Sequence, residues 1–466
     1  MTRTPSSATA SAAPDAAGTA EDSGLAHGLK QRHLSMIALG GVIGAGLFVG
    51  SGSGIAAAGP AVVLAFAASG LLVMLVMRML GEMSAARPAS GSFSVHADRE
   101  IGPWAGFTVG WLFWILLCVG VAVEAIGAAG IVSGWLPAVP SWAWVAVFMA
   151  FFCLTNLAAV RNFGEFEFWF AAIKVLAISA FLVIGVLAVL GLLPGTASPG
   201  AANLTGHHGF LPNGASGLVT GLLASVFAYG GLETVTIAAA ESENPRRSVA
   251  VAVRTAMWRI ALFYVGSMAV IVTLVPWDDP SVVRPGPYVA VLSTLGIPGA
   301  AQLMNVVVLI ALLSAMNANI YGSSRMVHSL VARGHGPRAL ARLSGGVPRR
   351  AVLASCTFGF LAVLLSYWWP ETVFSWLLNM VGAAVLVVWA FIAVAQLRMR
   401  RHLPASQLPV RMWAFPYLTY LALAAMGFIL VLMTLDSANR IQLYFTAGLT
   451  LALAAAGLLR NRRTAS

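Results

Sequence analysis

The sequence predicts an all-α integral membrane protein of twelve transmembrane helices. Five plus five of them form an inverted repeat, with helices 1 and 6 broken. Three observations carry this expectation. Of 466 residues, 59% are hydrophobic and only 9% charged, against about 25% charged in a soluble domain, and the mean hydropathy is +0.86. Twelve apolar stretches are each long enough to cross about 30 Å of hydrocarbon. Two of these, opening the two halves of the chain, are interrupted by glycines.

The expected spans are 33–54, 60–81, 104–132, 141–159, 166–192, 215–240, 250–275, 299–330, 351–368, 372–396, 413–434 and 441–459. The third and eighth exceed a simple crossing and are expected to tilt. Spans 1–5 and 6–10 each begin with a broken helix. An odd number of spans per repeat forces the halves into opposite orientation. Spans 11 and 12 carry no buried charge and read as peripheral. Residues 1–26 are rich in Ala, Ser, Thr and Pro and lack the apolar core of a signal peptide, so a disordered cytoplasmic tail is expected there. Residues 27–460 form one transmembrane domain: repeat one over 33–192, repeat two over 215–396, and peripheral helices over 413–459. A second cytoplasmic tail, 461–466, follows.

The formal charge of +11 does not indicate nucleic acid, because its distribution follows membrane topology. Of the 27 basic residues, only Arg284 and Arg440 fall in loops expected outside. The others lie in the tails, in alternate loops or near the inner ends of spans: Lys30 and Arg32, Arg87 and Arg99, Arg161, Arg246 and Arg247, Arg333 to Arg350, Arg398 to Arg411, and Arg460 to Arg463. Both termini are therefore expected in the cytoplasm. Cys118, Cys153 and Cys356 lie inside apolar spans without metal-ligand spacing and read as inert thiols. The eight histidines are scattered, with no facing intramembrane pair, so neither a metal nor a cofactor is expected.

The first break is Gly40-Gly41-Val42-Ile43-Gly44-Ala45-Gly46. Each glycine costs about 1 kcal/mol of helix stability relative to alanine. Freed backbone groups at membrane depth must face protein, water or a ligand. An unwound Ile43-Gly44-Ala45-Gly46 offers amides and a positive helix end to a substrate carboxylate. The alternative is close helix packing, since Gly40/Gly44, Gly46/Gly50 and Gly50/Gly54 are small-xxx-small pairs. The dinucleotide and phosphate-loop patterns do not match: the third glycine and the Lys-Ser/Thr are missing.

The second break, Phe227-Ala228-Tyr229-Gly230-Gly231-Leu232-Glu233, offers carbonyls to an ammonium, with Phe227 and Tyr229 as covering aromatics or as packing. A carboxylate at this depth needs a partner or a proton. Glu233 either pairs with the backbone of the first break or contacts substrate or a proton. Broken spans in corresponding halves imply a binding site near the membrane midplane and a secondary transporter.

Two further charges sit in mid-span, Glu124 in the third and Lys174 in the fifth. Either exchanges a proton during transport, or the two form a static ion pair, or Lys174 snorkels to the membrane face. Glu82 ends the second span near Arg78 and Arg87, as in a cytoplasmic salt bridge. The polar series Ser314, Asn317, Asn319, Tyr321, Ser323 and Ser324 lies on the eighth span, and some of it must face protein or a cavity.

Several blocks resemble the amino acid–polyamine–organocation superfamily, and the gamma-aminobutyrate permeases within it most closely. They are Gly28 to Ser51 (GLKQRHLSMIALGGVIGAGLFVGS), Met77 to Met83, Gly91 to Gly102 with Trp104 to Trp111, Asn162 to Trp169 (NFGEFEFW), Thr234 to Ser242 (TVTIAAAES) and Gln396 to Arg400 (QLRMR). The resemblance spans about residues 25–460. It implies a LeuT-like 5+5 inverted repeat and proton-coupled uptake of an amino acid. It also implies that Ile43 to Gly46 bind the carboxylate, that Phe227 occludes the site, and that Gly230 to Glu233 form the second break. By the same resemblance, Lys174 stands where sodium-coupled relatives hold a sodium ion.

Ala45 resembles the gamma-aminobutyrate permeases, where aromatic and lysine permeases tend to have threonine. Tyr229-Gly230 departs from a Phe-Met-like pair, and Asn379 from a more acidic, serine-rich stretch. Another neutral amino acid therefore stands as the alternative substrate, and exchange without net proton flow as the alternative mode. A membrane-embedded enzyme using Glu124, Lys174 or Glu233 lacks a metal cluster, a nucleophile elbow and a soluble catalytic domain. A sensor would ordinarily carry an appended domain. The expected setting is the bacterial inner membrane, crossed many times, with a small amino acid and a proton as partners.

Overall fold

Long runs of Leu, Val, Ala and Phe form helices here because only internally hydrogen-bonded backbone survives in hydrocarbon. The computed structural model describes residues 43–87, 92–158, 163–195, 197–232, 245–344, 347–435 and 437–465. Among them, nine helical stretches are long and apolar enough to cross a membrane, and two shorter apolar helices accompany them. No strand occurs among the described residues.

After the first break, a π turn, Gly46–Gly50, leads into α1 (Ser51–Ala58). Gly59, at φ 63°, turns the chain into α2 (Val62–Ala86), a conformation an L side chain would strain. There follow α3 (Ser92–Glu100), α4 (Pro103–Trp135), α5 (Ser141–Leu157) and α6 (Phe163–Val189). The second half opens with α7 (Gly214–Tyr229). Next come α8 (Pro245–Arg259), a π turn (Ile260–Val265) and α9 (Gly266–Leu274). The chain then builds α10 (Pro287–Thr294), α11 (Ala300–Ala332), α12 (Arg349–Trp368), α13 (Val373–His402), α14 (Tyr417–Leu435) and α15 (Ser437–Ala465). α15 continues helical to Ala465, into the expected tail 461–466.

Glycines let the central helices approach closely, and their contacts fix direction. On α4, Gly110, Gly120 and Gly127 face Leu330, Asn319 and Leu312 of α11, so the two helices run antiparallel. At 33 residues each, they are about 50 Å long. The segment through the first break and α1 runs antiparallel to α7: Gly46 faces Ala228, Gly54 faces Ala224, and Gly217 faces Ala57. These four elements make the centre of the protein.

The outer helices are lipid-facing by composition. The apolar window of α4 is 72% buried, whereas those of the last two spans, Tyr417–Leu435 and Asn439–Arg462, are 28% and 11% buried. Several short helices among the described residues were not expected from the sequence, two of them of eight residues or more. The short amphipathic α3 lies between α2 and α4, and α10 inserts Tyr288 between Phe48 and Phe181, with ring centroids 5.0 and 4.6 Å away.

Glu82 forms a different junction from the expected one. Fully buried, it accepts hydrogen bonds from Gln396 Nε2 (2.9 Å) and the Met412 amide (2.5 Å) and sits 3.8 Å from Arg400. Arg87 pairs with Glu100 instead, and Arg78 donates to the Arg411 carbonyl. Burial of the carboxylate selects partners that remove it from water, and these come from α13 and the connection after it.

Candidate functional site

At the first break the backbone is held by a side chain. Leu47 and Phe48 amides both donate to the Gly44 carbonyl, each at 3.2 Å. The Ala45 amide turns away and donates to Glu124 Oε2 at 2.9 Å. Glu124 thus reaches from the middle of α4 to the backbone directly before the π turn Gly46–Gly50, and both partners are buried. Gly44 is required for this approach. A Cβ there would fall on Glu124 Oε1 and lie 2.8 Å from the Ala315 methyl group. Ile43 is fully buried beside it.

The second break begins where α7 ends at Tyr229. The Gly230 amide donates to the carbonyls of Val226 (3.1 Å) and Phe227 (2.9 Å). Gly231 follows at φ 96°, the left-handed region that favours glycine. Gly46 sits against Ala228, and a Cβ at Gly46 would lie 3.1 Å from the Phe227 ring. The two breaks are therefore neighbours. Glu233 lies outside the described residues, as do Gly40, Gly41 and Val42.

A cavity opens where they meet. It contains about 510 Å³ of space free of protein atoms, counted with its open mouth, and is lined by Gly46, Glu124, Phe227, Ala228, Gly230 and Gly231 on the polar side. Phe113, Leu116, Leu117, Val381 and Val385 make an apolar wall, completed by Gly120 and Asn319. Concave, largely apolar sites with a few placed polar groups are the usual form of small-molecule sites.

Ile43, Gly44, Ala45, Tyr229 and Lys174, all expected at the site, do not line this cavity. Tyr229 points away: its hydroxyl donates to the Phe66 carbonyl at 2.8 Å, and its ring packs on Tyr264 with centroids 4.8 Å apart. Helix phase decides this, because Phe227 and Tyr229 are two positions apart and cannot share a face. Lys174 is fully buried elsewhere, with Nζ donating to Ser314 Oγ (3.0 Å) and lying 3.9 Å from Glu167 Oε1. Ser314 Oγ donates in turn to Glu167, 2.9 Å from Oε2. The lysine's ion-pair partner is thus Glu167 on its own helix. Ser314 precedes Ala315, so this cluster adjoins the part of α11 that packs against Gly44.

Glu167 and Arg259 are functional candidates that the sequence did not single out. Glu167 and Lys174 are seven residues apart on α6 and share a face, a spacing already present in the chain. Arg259 is 2% exposed rather than at a membrane edge, and lies within electrostatic range of Tyr229 and Tyr264. A π turn begins directly after it.

Residues 33–466 match the family of amino acid permeases. The chain belongs to that family. Its relatives include a gamma-aminobutyric acid permease of Bacillus subtilis, 47% identical over 432 residues and 92% of both chains. The aromatic amino acid transport protein AroP of Corynebacterium glutamicum is 48% identical over 430 residues, covering 91% of this permease and 93% of the relative. A gamma-aminobutyric acid permease of Escherichia coli is 42% identical over 432 residues, 92% and 93% of the two chains. The multi-pass character, the amino acid substrate and the transporter class follow from family membership and the apolar spans.

Proposed function

We propose that this permease is a secondary active transporter that takes up a small amino acid together with a proton, with gamma-aminobutyrate as the favoured substrate. The observation that carries the reading is the convergence of both glycine breaks and Glu124 on one cavity between antiparallel helix pairs. Such a site in the middle of a broken-helix protein suits alternating access. The antiparallel course of the first break and α7, and of α4 and α11, supports a LeuT-like 5+5 inverted repeat within twelve spans. The bias of basic residues supports a bacterial inner-membrane protein with both termini in the cytoplasm.

In this reading the substrate carboxylate lies at the Ile43 to Gly46 backbone, and Phe227 covers the site from the other break. Gly230 and Gly231 supply room and carbonyls for the ammonium. Glu124 ties substrate occupancy to the first helix, because its carboxylate already holds the Ala45 amide. Lys174 with Glu167 and Ser314 forms the titratable cluster next to that helix, where gain and loss of a proton accompany opening to either side. Glu233 is assigned to the same coupling or to the substrate.

A second reading, uptake of an aromatic or other neutral amino acid, is favoured by the 48% identity to an aromatic amino acid transport protein. Uptake into proteoliposomes decides between them. Labelled gamma-aminobutyrate, phenylalanine and leucine are offered with and without an inward proton gradient, in the absence of sodium. Gradient-driven accumulation of gamma-aminobutyrate is expected. Accumulation of phenylalanine alone favours the second reading, and equal uptake without a gradient refutes proton coupling.

A further inference from the structure

The cavity has two polar side chains, Glu124 and Asn319, and an otherwise apolar wall. Their separation follows from the antiparallel pairing of α4 and α11. Glu124 and Ala315 both meet Gly44, at the level of the first break. One turn further along, Asn319 lies over Gly120, where a Cβ would be 2.9 Å from the Asn319 amide nitrogen. Four residues of helix rise about 6 Å, so the two poles of the cavity are about one helical turn apart.

Asn319 is also singled out by its hydrogen bonding. Its neighbours on α11 are engaged: Asn156 donates to Asn317 (2.7 Å), Ser323 to the Ile320 carbonyl (2.8 Å), and Ser324 to the Tyr321 carbonyl (2.8 Å). The Asn319 carboxamide has no hydrogen bond to another described residue and borders the cavity. A carboxamide in an apolar wall, seated there because position 120 has no side chain, is a group aimed at a ligand.

We infer that Asn319 is the specificity-determining residue of the substrate site, accepting a hydrogen bond from the terminal ammonium of an ω-amino acid. This rests on the permease reading given above and names its substrate class. An extended four-carbon ω-amino acid has four bonds of about 1.5 Å between carboxyl carbon and nitrogen. Its ends therefore lie about 5 Å apart, which matches the two poles. An α-amino acid carries both charged groups on one carbon and satisfies only the pole at the break. An aromatic side chain reaching the second pole would cover the carboxamide without bonding to it.

The test is competition for labelled gamma-aminobutyrate uptake in proteoliposomes by β-alanine, gamma-aminobutyrate, 5-aminovalerate, leucine and phenylalanine. It is run on the wild type, Asn319→Leu and Asn319→Gln. The wild type is expected to prefer the four-carbon compound. Asn319→Leu is expected to raise its KM about tenfold or more while leucine and phenylalanine compete as well as before or better. Asn319→Gln advances the carboxamide by one methylene and is expected to move the optimum toward β-alanine. A general folding defect would weaken all competitors alike and leave their order unchanged, so an unchanged order in both variants overturns the inference. Wild-type uptake of phenylalanine but not gamma-aminobutyrate overturns it too, while leaving the permease reading intact. Failure of the wild type to transport any amino acid overturns both.

Discussion

Replacing Gly44 by alanine tests the contact between the first break and Glu124 with the smallest possible change. The added methyl group falls on Glu124 Oε1 and lies 2.8 Å from the Ala315 methyl, where carbons ordinarily stay about 3.5–4.0 Å apart. Either the carboxylate leaves the Ala45 amide or α4 and α11 shift away from the first helix. Overpacking of this kind costs about 1–3 kcal/mol, and a hydrogen bond with a charged group contributes about 1.5–3 kcal/mol. Because the strain is relieved as the bond is lost, a combined effect of about 2–4 kcal/mol follows, or about 30- to 1,000-fold in kcat/KM.

Gly230→Ala is the control from the other break. Its methyl would lie 3.1 Å from the Phe227 backbone carbonyl oxygen and 3.4 Å from the Val385 side chain, contacts that shifts of a few tenths of an ångström relieve. Uptake kinetics in proteoliposomes, normalised to correctly inserted protein, should show a large loss for Gly44→Ala and a loss of a few-fold for Gly230→Ala. Equal, mild effects for both would refute the argument that the Gly44–Glu124 approach organises the site.

Three further outcomes are expected. Lys174→Ala and Lys174→Arg should both lose accumulation driven by an imposed proton gradient, since arginine keeps its proton. An arginine variant that still accumulates substrate would make Lys174 a structural cation and leave Glu124 as the next group to test. Phe227→Ala should raise the KM roughly three- to tenfold through loss of an aromatic contact, read against unchanged melting of the protein in detergent. His96, buried on α3 with Ser84 Oγ 3.4 Å away, has its pKa lowered to about 3 by burial first and then by Arg99 and Arg87. A histidine depressed in the folded state stabilises fully above its unfolded pKa of about 6.5 and loses that contribution as the pH falls toward 3. The wild type should therefore lose about 1.4 kcal/mol between pH 7.5 and 5.5, and His96→Gln should lose markedly less in the same denaturation series.

The parts of this protein legible from sequence are those governed by one-dimensional physics. Hydrocarbon thickness sets helix length, so the third expected span, 104–132, appears as Pro103–Trp135, and the eighth, 299–330, as Ala300–Ala332. Clustered glycines mark the two breaks, because they weaken a helix wherever they fall. Short helices escape the same logic. α3 is amphipathic and has too few residues to cross, whereas α10 has the length of only two turns. Side-chain partners are harder still. The bond from Ala45 to Glu124 joins residues 79 positions apart, and no local pattern encodes that distance.

Glu124 and Lys174 show why two buried charges of opposite sign should not be paired from sequence alone. Each has a nearer or better-oriented partner than the other: Lys174 has Glu167 at helical spacing, and Glu124 has a backbone amide that only a glycine-rich break can present. The division matters for mechanism. A carboxylate bound to backbone responds to movement of the first helix, and an ammonium bound to Glu167 and Ser314 responds to the position of α6 against α11. The two clusters meet at consecutive residues of one helix, with Ala315 against Gly44 and Ser314 against Lys174. A small displacement of α11 therefore alters both contacts at once. In the proposed function, that shared helix links substrate binding at the break mechanically to proton exchange at the lysine, without requiring either charged group to touch the other.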